Sequence, residues 1–345
     1  MRRRFAVIRL LIVALVSLFQ SAIAFDAHGA AAPTKLIIAH AANNPRVAPL
    51  WVTDEQGFFS KHGIKAEVIY IRNSALSLSA LYSKSIDISQ AGGISVLGIG
   101  DKGPEVKIIA AFTSKLTHDL VVRPSINSAK DLRGKRLGVQ VIGGSLWITA
   151  MLALEQLKID PARDDIKVLT IGDQIVLAQA LESGVIDAAP LDTAFSKKLK
   201  QKGFPVLVEL NKTNTRTVSS TVVVLNSFLQ SQPQVLENLL KALIEGTAFT
   251  LATDNKPLVV KTIMKRLKIS DPADAEEGYA GLAPSTELKP YPSMEGMRNM
   301  QRFMKTQNPQ VANVNLDSLI DARLVKKLDD SGFIDQTLKS YGLGK

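Results

Sequence analysis

The sequence predicts an α/β protein with two similar lobes, each a mainly parallel sheet flanked by helices. Short runs rich in β-branched residues alternate with runs of helical periodicity, a pattern that favours strands joined by helices. The order strand, helix, strand, helix, strand occurs twice. The segment ALYSKSIDI at 80–88 in the first copy also aligns with ALESGVIDA at 180–188 in the second. We therefore expect two copies of one structural unit.

Each copy can be divided into elements from its apolar pattern. The first copy is expected to contain strands at 35–39, 66–71, 86–89 and 106–112, with helices at 49–60 and 75–83. The second copy is expected to contain strands at 136–141, 166–171 and 186–189, with helices at 145–158 and 174–183.

The last third of the chain is expected to be helical. Ser231 and Gln234 form an S-x-x-Q pattern, which indicates the N-terminus of a helix. Apolar residues at helical spacing follow from 235 to 244. The proline-rich stretch 284–292 predicts a loop. Further helices are expected near 257–268, 272–281, 293–306 and 317–329.

The first residues have the pattern of an export signal. MRRR supplies positive charge, residues 10–19 form an apolar run, and AIA at 22–24 is a small-x-small cleavage pattern. A transmembrane anchor is the alternative, but the run is shorter than the roughly 20 residues that a span needs. We expect residues 1–24 to be removed, with cleavage after Ala30 as the less favoured site.

Composition narrows the compartment and the class of partner. The chain has no cysteine, which excludes disulfides and a lipid anchor of the lipoprotein type. An exported protein without an anchor is expected in the periplasm. The 42 basic residues include four arginines of the predicted signal, so 38 remain against 32 acidic residues. Because the basic residues are scattered, nucleic-acid binding is not expected.

The segment GVQVIGGS at 138–145 differs at one position from a phosphate-binding P-loop. The motif G-x-x-x-x-G-K-[ST] requires a lysine where Gly144 stands. No acidic strand end that could hold magnesium accompanies it, which disfavours nucleotide binding. Ser145 is read as the N-cap of an apolar helix, and Gly143 and Gly144 would leave its N–H groups open to an anionic or polar group. A tight cap without a ligand is the alternative.

Ligands of open α/β sheets bind beyond the carboxyl ends of the strands. The loops expected there are rich in Gly, Asn, Ser, Thr or Asp, which allow close backbone approach or supply short polar side chains. The candidate contacts in these loops are His40, Asn43, Arg46, Asn73, Ser74, Gly93, Ser95, Gly144, Ser145 and Asp192.

Several of these candidates have a second interpretation. His40 either faces a ligand or is exposed to solvent. Arg46 either pairs with a carboxylate or sulfonate or is a surface charge. Asp192 either accepts a hydrogen bond from a ligand or caps the next helix, and capping is slightly favoured. For Ser74 and Ser95, a helix cap and a ligand contact can coincide.

Catalytic and metal-binding patterns find little support. The sequence has no cysteine nucleophile and no G-x-S-x-G elbow. Its four histidines lack metal-ligand spacing such as H-E-x-x-H. We therefore expect neither an enzyme nor a bound metal or cofactor.

Four segments resemble one protein family. PLWVTDEQGFFSKHGIKAEVIYI at 49–71 resembles the opening of ABC-transporter substrate-binding proteins of the sulfonate, nitrate and taurine type, also called SsuA/THI5-like or NMT1-like. ALYSKSIDIS at 80–89 resembles a second family segment, except that Lys84 replaces the usual glycine. SAKDLRGKRLGV at 128–139 and DDSGFID at 329–335 resemble two more. The matching positions of the first segment are Glu55, Gly57, Phe58, Phe59, Lys61, Gly63 and Ile64.

The resemblance implies a two-lobed clamp of the type II periplasmic-binding kind. The first lobe would contain 33–120 and return from 218 to 345, and the second would contain 121–217. Crossing segments at 118–123 and 211–219 would form the hinge. A small solute would close the lobes, and the closed monomer would dock on a membrane permease.

Two other functions remain open at this point. The pyrimidine-synthase and desulfinase branches of the same fold resemble the chain in outline, but both rely on cysteine, which this chain lacks. A sensory protein that reports its ligand to a membrane receptor has the same sequence features as a transport protein. Within the family, the helix-end loops and Arg46 favour an anionic solute.

Overall fold

The computed structural model describes residues 32–99, 105–213 and 215–344. The predicted export signal at 1–24 lies outside these ranges. Within them, no helix is both long and apolar enough to cross a membrane.

The described residues form two five-stranded sheets with helices on their faces. The strands are β1 Thr34–His40, β2 Ile64–Tyr70, β3 Ile88–Ala91, β4 Val106–Lys115, β5 His118–Val122, β6 Arg136–Val139, β7 Lys167–Thr170, β8 Ala188–Asp192, β9 Val206–Glu209 and β10 Arg216–Leu225.

Helices follow most of these strands and make up most of the last third. In the first two thirds they are α1 Ala48–Glu55, α2 Phe58–Lys61, α3 Ser74–Tyr82, α4 Gly93–Leu97, α5 Ser145–Gln156, α6 Gln174–Glu182 and α7 Thr193–Gln201. The later helices are α8 Asn226–Ser231, α9 Pro233–Leu251, α10 Lys256–Leu267, α11 Pro272–Ala280, α12 Leu282–Ser285, α13 Met294–Met304, α14 Leu316–Leu319, α15 Arg323–Asp330 and α16 Phe333–Ser340.

The two sheets have the same topology, which confirms the predicted two-lobed α/β fold. The first lobe is built on the order β2-β1-β3-β10-β4 and the second on β7-β6-β8-β5-β9. In each sheet the first three strands are parallel, and the fourth is antiparallel to both of its neighbours. That fourth strand enters directly after the chain crosses from the other lobe. The two crossings, β4 to β5 and β9 to β10, therefore join the lobes; they are called the hinge below, after the hinge that the family resemblance implies.

The repeated aspartate of the sequence has the same function in both lobes. Asp87 accepts a hydrogen bond from the backbone N–H of Ile37 at 2.8 Å, and Asp187 accepts one from Arg136 at 2.9 Å. Each carboxylate thus satisfies a backbone N–H of the second strand of its sheet, β1 or β6. Asp187 also accepts hydrogen bonds from the Arg136 guanidinium, at 2.8 and 2.9 Å.

Lys84 occupies the position where the second repeat has Gly184. Both residues follow a helix and have positive φ, 59° for Lys84 and 78° for Gly184. A glycine adopts this left-handed conformation without steric cost, whereas a lysine is strained in it. The departure from the family pattern at Lys84 therefore places a strained residue at the end of α3.

Three local predictions are wrong, each for a backbone reason. The helix expected at 49–60 is two helices, because Gly57 takes φ 74° between α1 and α2. Ser231 does not cap α9: it ends α8 and its hydroxyl donates to the Phe228 carbonyl, while Pro233 starts α9. Strand β10 runs from Arg216 to Leu225, where the sequence analysis expected a crossing segment at 211–219 and no strand.

The apolar core passes from one lobe to the other. One cluster contains Ala91 and Ile94 of the first lobe, Trp147 and Met151 of the second, and Met300 of α13. A second cluster covers the other face of the first sheet, and a third lies in the second lobe. The lobes are therefore joined by side-chain packing beside the hinge as well as by the two chain crossings.

Candidate functional site

The loops after the parallel strands of the two lobes meet. An ideal Cβ on Gly92, which follows β3, would lie 3.5 Å from the Ser145 hydroxyl, which follows β6. Ion pairs join the lobes as well. Lys198 Nζ on α7 lies 2.7 Å from Asp274 on α11, and Arg302 on α13 pairs with Glu155 on α5. The carboxyl ends of the parallel strands of the two lobes therefore lie close together, and the region between them is called the cleft below.

His40 ends β1 and uses both ring nitrogens within the chain. Its Nδ1 lies 2.7 Å from the Ala42 carbonyl, and its Nε2 accepts a hydrogen bond from Trp51 at 3.3 Å. Acceptance at Nε2 assigns the proton to Nδ1. Burial is the main reason why the pKa of His40 is lowered. His40 therefore shapes the loop beyond β1 and has no ring nitrogen left for a solute.

That loop carries Asn43 and Arg46 towards the cleft. Asn43 is exposed. Asn44 caps a 3-10 turn at Pro45–Val47 by accepting from the Arg46 N–H at 3.1 Å, which fixes the backbone of Arg46. No described carboxylate lies within ion-pair distance of the Arg46 guanidinium. Burial lowers the pKa of Arg46, and Asp192 of the second lobe opposes that shift.

The loops after β2 and β3 are tied together. Asn73 caps α3 by accepting from the Leu76 N–H at 2.9 Å. Ser74, the first residue of α3, accepts from the Gly92 N–H at 3.3 Å. Gly93 starts α4 and is buried; a Cβ there would lie 3.0 Å from the Val218 carbonyl. Ser95 is the third residue of α4 and is half-buried. The cap of α3 is therefore Asn73, and Ser74 is its neighbour.

The second lobe presents the start of α5 to the cleft. Gly144, not Ser145, is the N-cap, so the prediction of a serine cap is wrong. A glycine supplies no side-chain acceptor, and the first N–H groups of α5 remain uncapped by a side chain. Ser145 is exposed as the first helical residue. The start of this helix combines open N–H groups with the positive end of the helix dipole.

Asp192 caps α7, the interpretation that the sequence slightly favoured. Its carboxylate accepts from the Phe195 N–H at 3.2 Å. Asp192 ends β8 directly opposite His118, the first residue of β5. It remains half-buried at the hinge end of the cleft.

His118 is a residue that the sequence analysis did not include among the contacts. Its side chain is 3% exposed, and neither ring nitrogen has a hydrogen-bond partner among the described residues. Burial, and then the charge of Arg46, lower the pKa of His118 well below its usual value. The neutral ring therefore has one free donor and one free acceptor. Sequence alone offered one hint, its position in the predicted crossing segment 118–123.

Exposed apolar side chains cluster in the same loops. Six large apolar residues that are 41–56% exposed end β2, follow β6 or lie in the first turn of the helix after β2 or β7. They are Tyr70, Leu76, Val141, Ile142, Ile175 and Val176. Leu76 and Val176 occupy equivalent positions of the two repeats, since Asn73 and Asp173 cap their helices in the same way.

The described residues contain no group of three or more side chains suited to hold a metal ion. A small cavity with room for about one water molecule lies beside Arg46, lined also by Gln90, Thr113 and Ser220. Apolar side chains, among them Leu50, Phe112 and Leu243, line the rest of this cavity.

Comparisons with known proteins agree with the fold. The sequence model described as NMT1/THI5 like matches residues 44–256. A Brucella abortus protein, assigned a binding role by inference, is 25% identical over 230 residues, which cover 65% of this chain and 69% of that protein.

Two solved structures share the fold. The periplasmic aliphatic sulphonate binding protein SsuA from Escherichia coli has a TM-score of 0.70 at 18% identity, covering 85% of this chain and 99% of that one. The periplasmic nitrate-binding protein NrtA from Synechocystis has a TM-score of 0.64 at 13% identity, covering 87% and 89%. At such identities the likeness concerns the fold alone.

Proposed function

This chain belongs to the NMT1/THI5-like family, and we propose that it is the periplasmic solute receptor of an ABC importer. In this proposal a small organic or inorganic anion enters the cleft, the lobes close on it about the hinge, and the closed form delivers it to a membrane permease. The names of the related proteins support solute binding as the general activity.

One observation carries the anionic character of the solute. Arg46 is half-buried beside a small cavity, and none of the described residues forms an ion pair with its guanidinium. A partly desolvated charge without a partner is costly, and a carboxylate, sulfonate or nitrate would supply the missing partner. The uncapped start of α5 adds a second group of donors on the opposite lobe.

The residues named from the sequence have different roles in this proposal. Arg46 and the first turn of α5 at Ser145 would contact the anion. Asn43, Asn73 and Ser95 would line the cleft around it. Gly93 and Gly144 would allow the backbone to approach. His40 would hold the loop that positions Arg46 and would not contact the solute.

A thermal-shift screen of the processed chain, residues 25–345, tests the proposal. The panel contains alkanesulfonates, taurine, nitrate, aromatic carboxylates, amino acids and pyrimidines; the exposed apolar side chains of the cleft justify members with apolar bodies. A ligand at 100 times its Kd adds about 2.7 kcal/mol to the free energy of unfolding. Stabilisation by anions alone is the expected result, and stabilisation by neutral members alone contradicts the proposal.

Two variants test the placement of the anion. Arg46→Ala and Ser145→Ala should each weaken binding of the anion by about 1–3 kcal/mol. Unchanged affinity in both would contradict the cleft as the site. Recovery of a chemically altered ligand after incubation would instead favour an enzyme of the same fold.

A further inference from the structure

We propose that His118 and Arg46 together form a subsite for the acidic oxygens of the solute, at the hinge end of the cleft. This inference rests on the proposed function and adds to it a second anchoring residue and a link between binding and closure. The ligand class is an oxyanion with at least two acceptor oxygens, such as a carboxylate or a sulfonate.

The first argument is the unmet hydrogen-bonding capacity of the two side chains. His118 is 3% exposed, and both its ring nitrogens lack a partner among the described residues. Leaving such a buried group unpaired costs free energy, so a buried imidazole normally finds a partner. Arg46 also lacks an ion-pair partner among the described residues, and it lines a small cavity together with Thr113 of β4, the strand that leads to His118. The charge of Arg46 in turn helps to lower the pKa of His118.

The second argument is that nearby groups of the chain leave the two donors free. Asp192 lies opposite His118 in the register of β5 and β8, but its carboxylate is used to cap α7. Asp119, the next residue of β5, accepts from the Ser196 hydroxyl on α7. The acidic side chains nearest to His118 in the sheet are therefore held by other partners, and an external oxyanion can bind.

The third argument concerns the hinge. Arg46 belongs to the first lobe, whereas His118 begins β5 where the chain enters the second. An oxyanion that accepts from both groups joins the lobes at the crossing itself. Without the solute, the arrangement in which the lobes touch leaves the half-buried guanidinium of Arg46 and the buried imidazole of His118 without partners among the described residues. Binding removes this cost, so the subsite favours closure when it is filled.

Calorimetric titration of the processed chain with butane-1-sulfonate and with benzoate tests the subsite. His118→Phe removes both ring nitrogens and should raise the Kd about tenfold or more, because a hydrogen bond to a charged group is lost. His118→Gln retains a donor and should restore most of the affinity. His62→Phe is the matched control, because the imidazole of His62 is hydrogen-bonded to Glu245 and does not belong to the cleft loops. Its Kd should equal that of the wild type.

Thermal unfolding and NMR spectroscopy distinguish a role of His118 in binding the anion from a role in holding the fold. His118→Phe should unfold at the same temperature as the wild type or higher, because an unpaired polar group is replaced by an apolar ring. In histidine-labelled protein, the imidazole ¹⁵N resonances of His118 should shift on saturation with the anion. Equal Kd values in His118→Phe and wild type, with unmoved resonances, would overturn the subsite and leave the proposed function standing. Failure of every anion of the panel to bind would overturn both.

Discussion

Replacement of Arg46 by methionine should change binding and stability in opposite directions. Methionine has a similar length but no charge, so the variant removes a desolvated guanidinium that has no ion-pair partner among the described residues. An apolar side chain in place of this half-buried, unpaired charge avoids the cost of desolvating it. The attraction of Asp192 is lost at the same time, which limits the gain. We expect the free energy of unfolding of the solute-free protein to stay equal or rise by about 1 kcal/mol.

The same change should weaken binding of an oxyanion. A hydrogen bond to a charged group contributes about 1.5–3 kcal/mol, which corresponds to an increase in Kd of roughly 10- to 150-fold. Denaturant unfolding without solute and calorimetric titration with butane-1-sulfonate measure the two effects. Arg298→Met is the control, because Arg298 is exposed on α13.

Two results would refute this reasoning. A loss of more than about 1 kcal/mol of stability in Arg46→Met would mean that the guanidinium stabilises the folded chain itself. An unchanged Kd would mean that the anion binds elsewhere.

Three further predictions concern the scaffold. Lys84→Gly should raise the free energy of unfolding by about 1 kcal/mol, because it relieves a lysine at φ 59°; denaturant unfolding showing a loss contradicts this. Asp187→Ala should cost about 3 kcal/mol and more than Asp87→Ala, since only Asp187 also binds a guanidinium. The hydrogen bonds from Arg136 chiefly lower the pKa of Asp187. Its contribution to the free energy of unfolding is therefore fully present above the unfolded-state pKa of 3.8 and is lost as the pH falls through the lower folded-state pKa. In acid unfolding, Asp187→Asn should lack this pH-dependent loss. Gly246→Ala should lower the stability measured by thermal unfolding by about 2 kcal/mol, although alanine has the higher helix propensity. The reason is that the new Cβ would lie 2.0 Å from the hydroxyl of the buried Thr53. A gain in stability would contradict that packing.

The repeated letters of the sequence predicted the fold well because they have structural roles. Asp87 and Asp187 each satisfy a backbone N–H of the second strand of a sheet, β1 or β6, so the pattern marks the same place in both sheets. The loops beyond the strands also followed from strand order. The sequence could not show which residues of these loops are free to contact a solute. His40, for example, uses both ring nitrogens in hydrogen bonds within the chain.

Local patterns failed where the backbone had alternatives. Ser145 follows a glycine that can itself take the N-cap conformation, so the cap lies one residue earlier than predicted. Ser231 is followed by Pro233, which suits the first position of a helix and sets the start of α9. The sequence did not predict a role for His118, because an imidazole without hydrogen-bond partners is recognised only when its neighbours in space are known.

The most direct test of the account is the distance between the lobes with and without an anion. The chain has no cysteine, so Lys65→Cys on β2 and Lys167→Cys on β7 give two exposed labelling sites at equivalent edges of the two sheets. With one spin label on each, pulsed dipolar spectroscopy should show a shorter distance on saturation with butane-1-sulfonate, and the shortening should disappear in Arg46→Met. Saturation of the protein with an unchanged distance would contradict closure of the lobes on a bound anion.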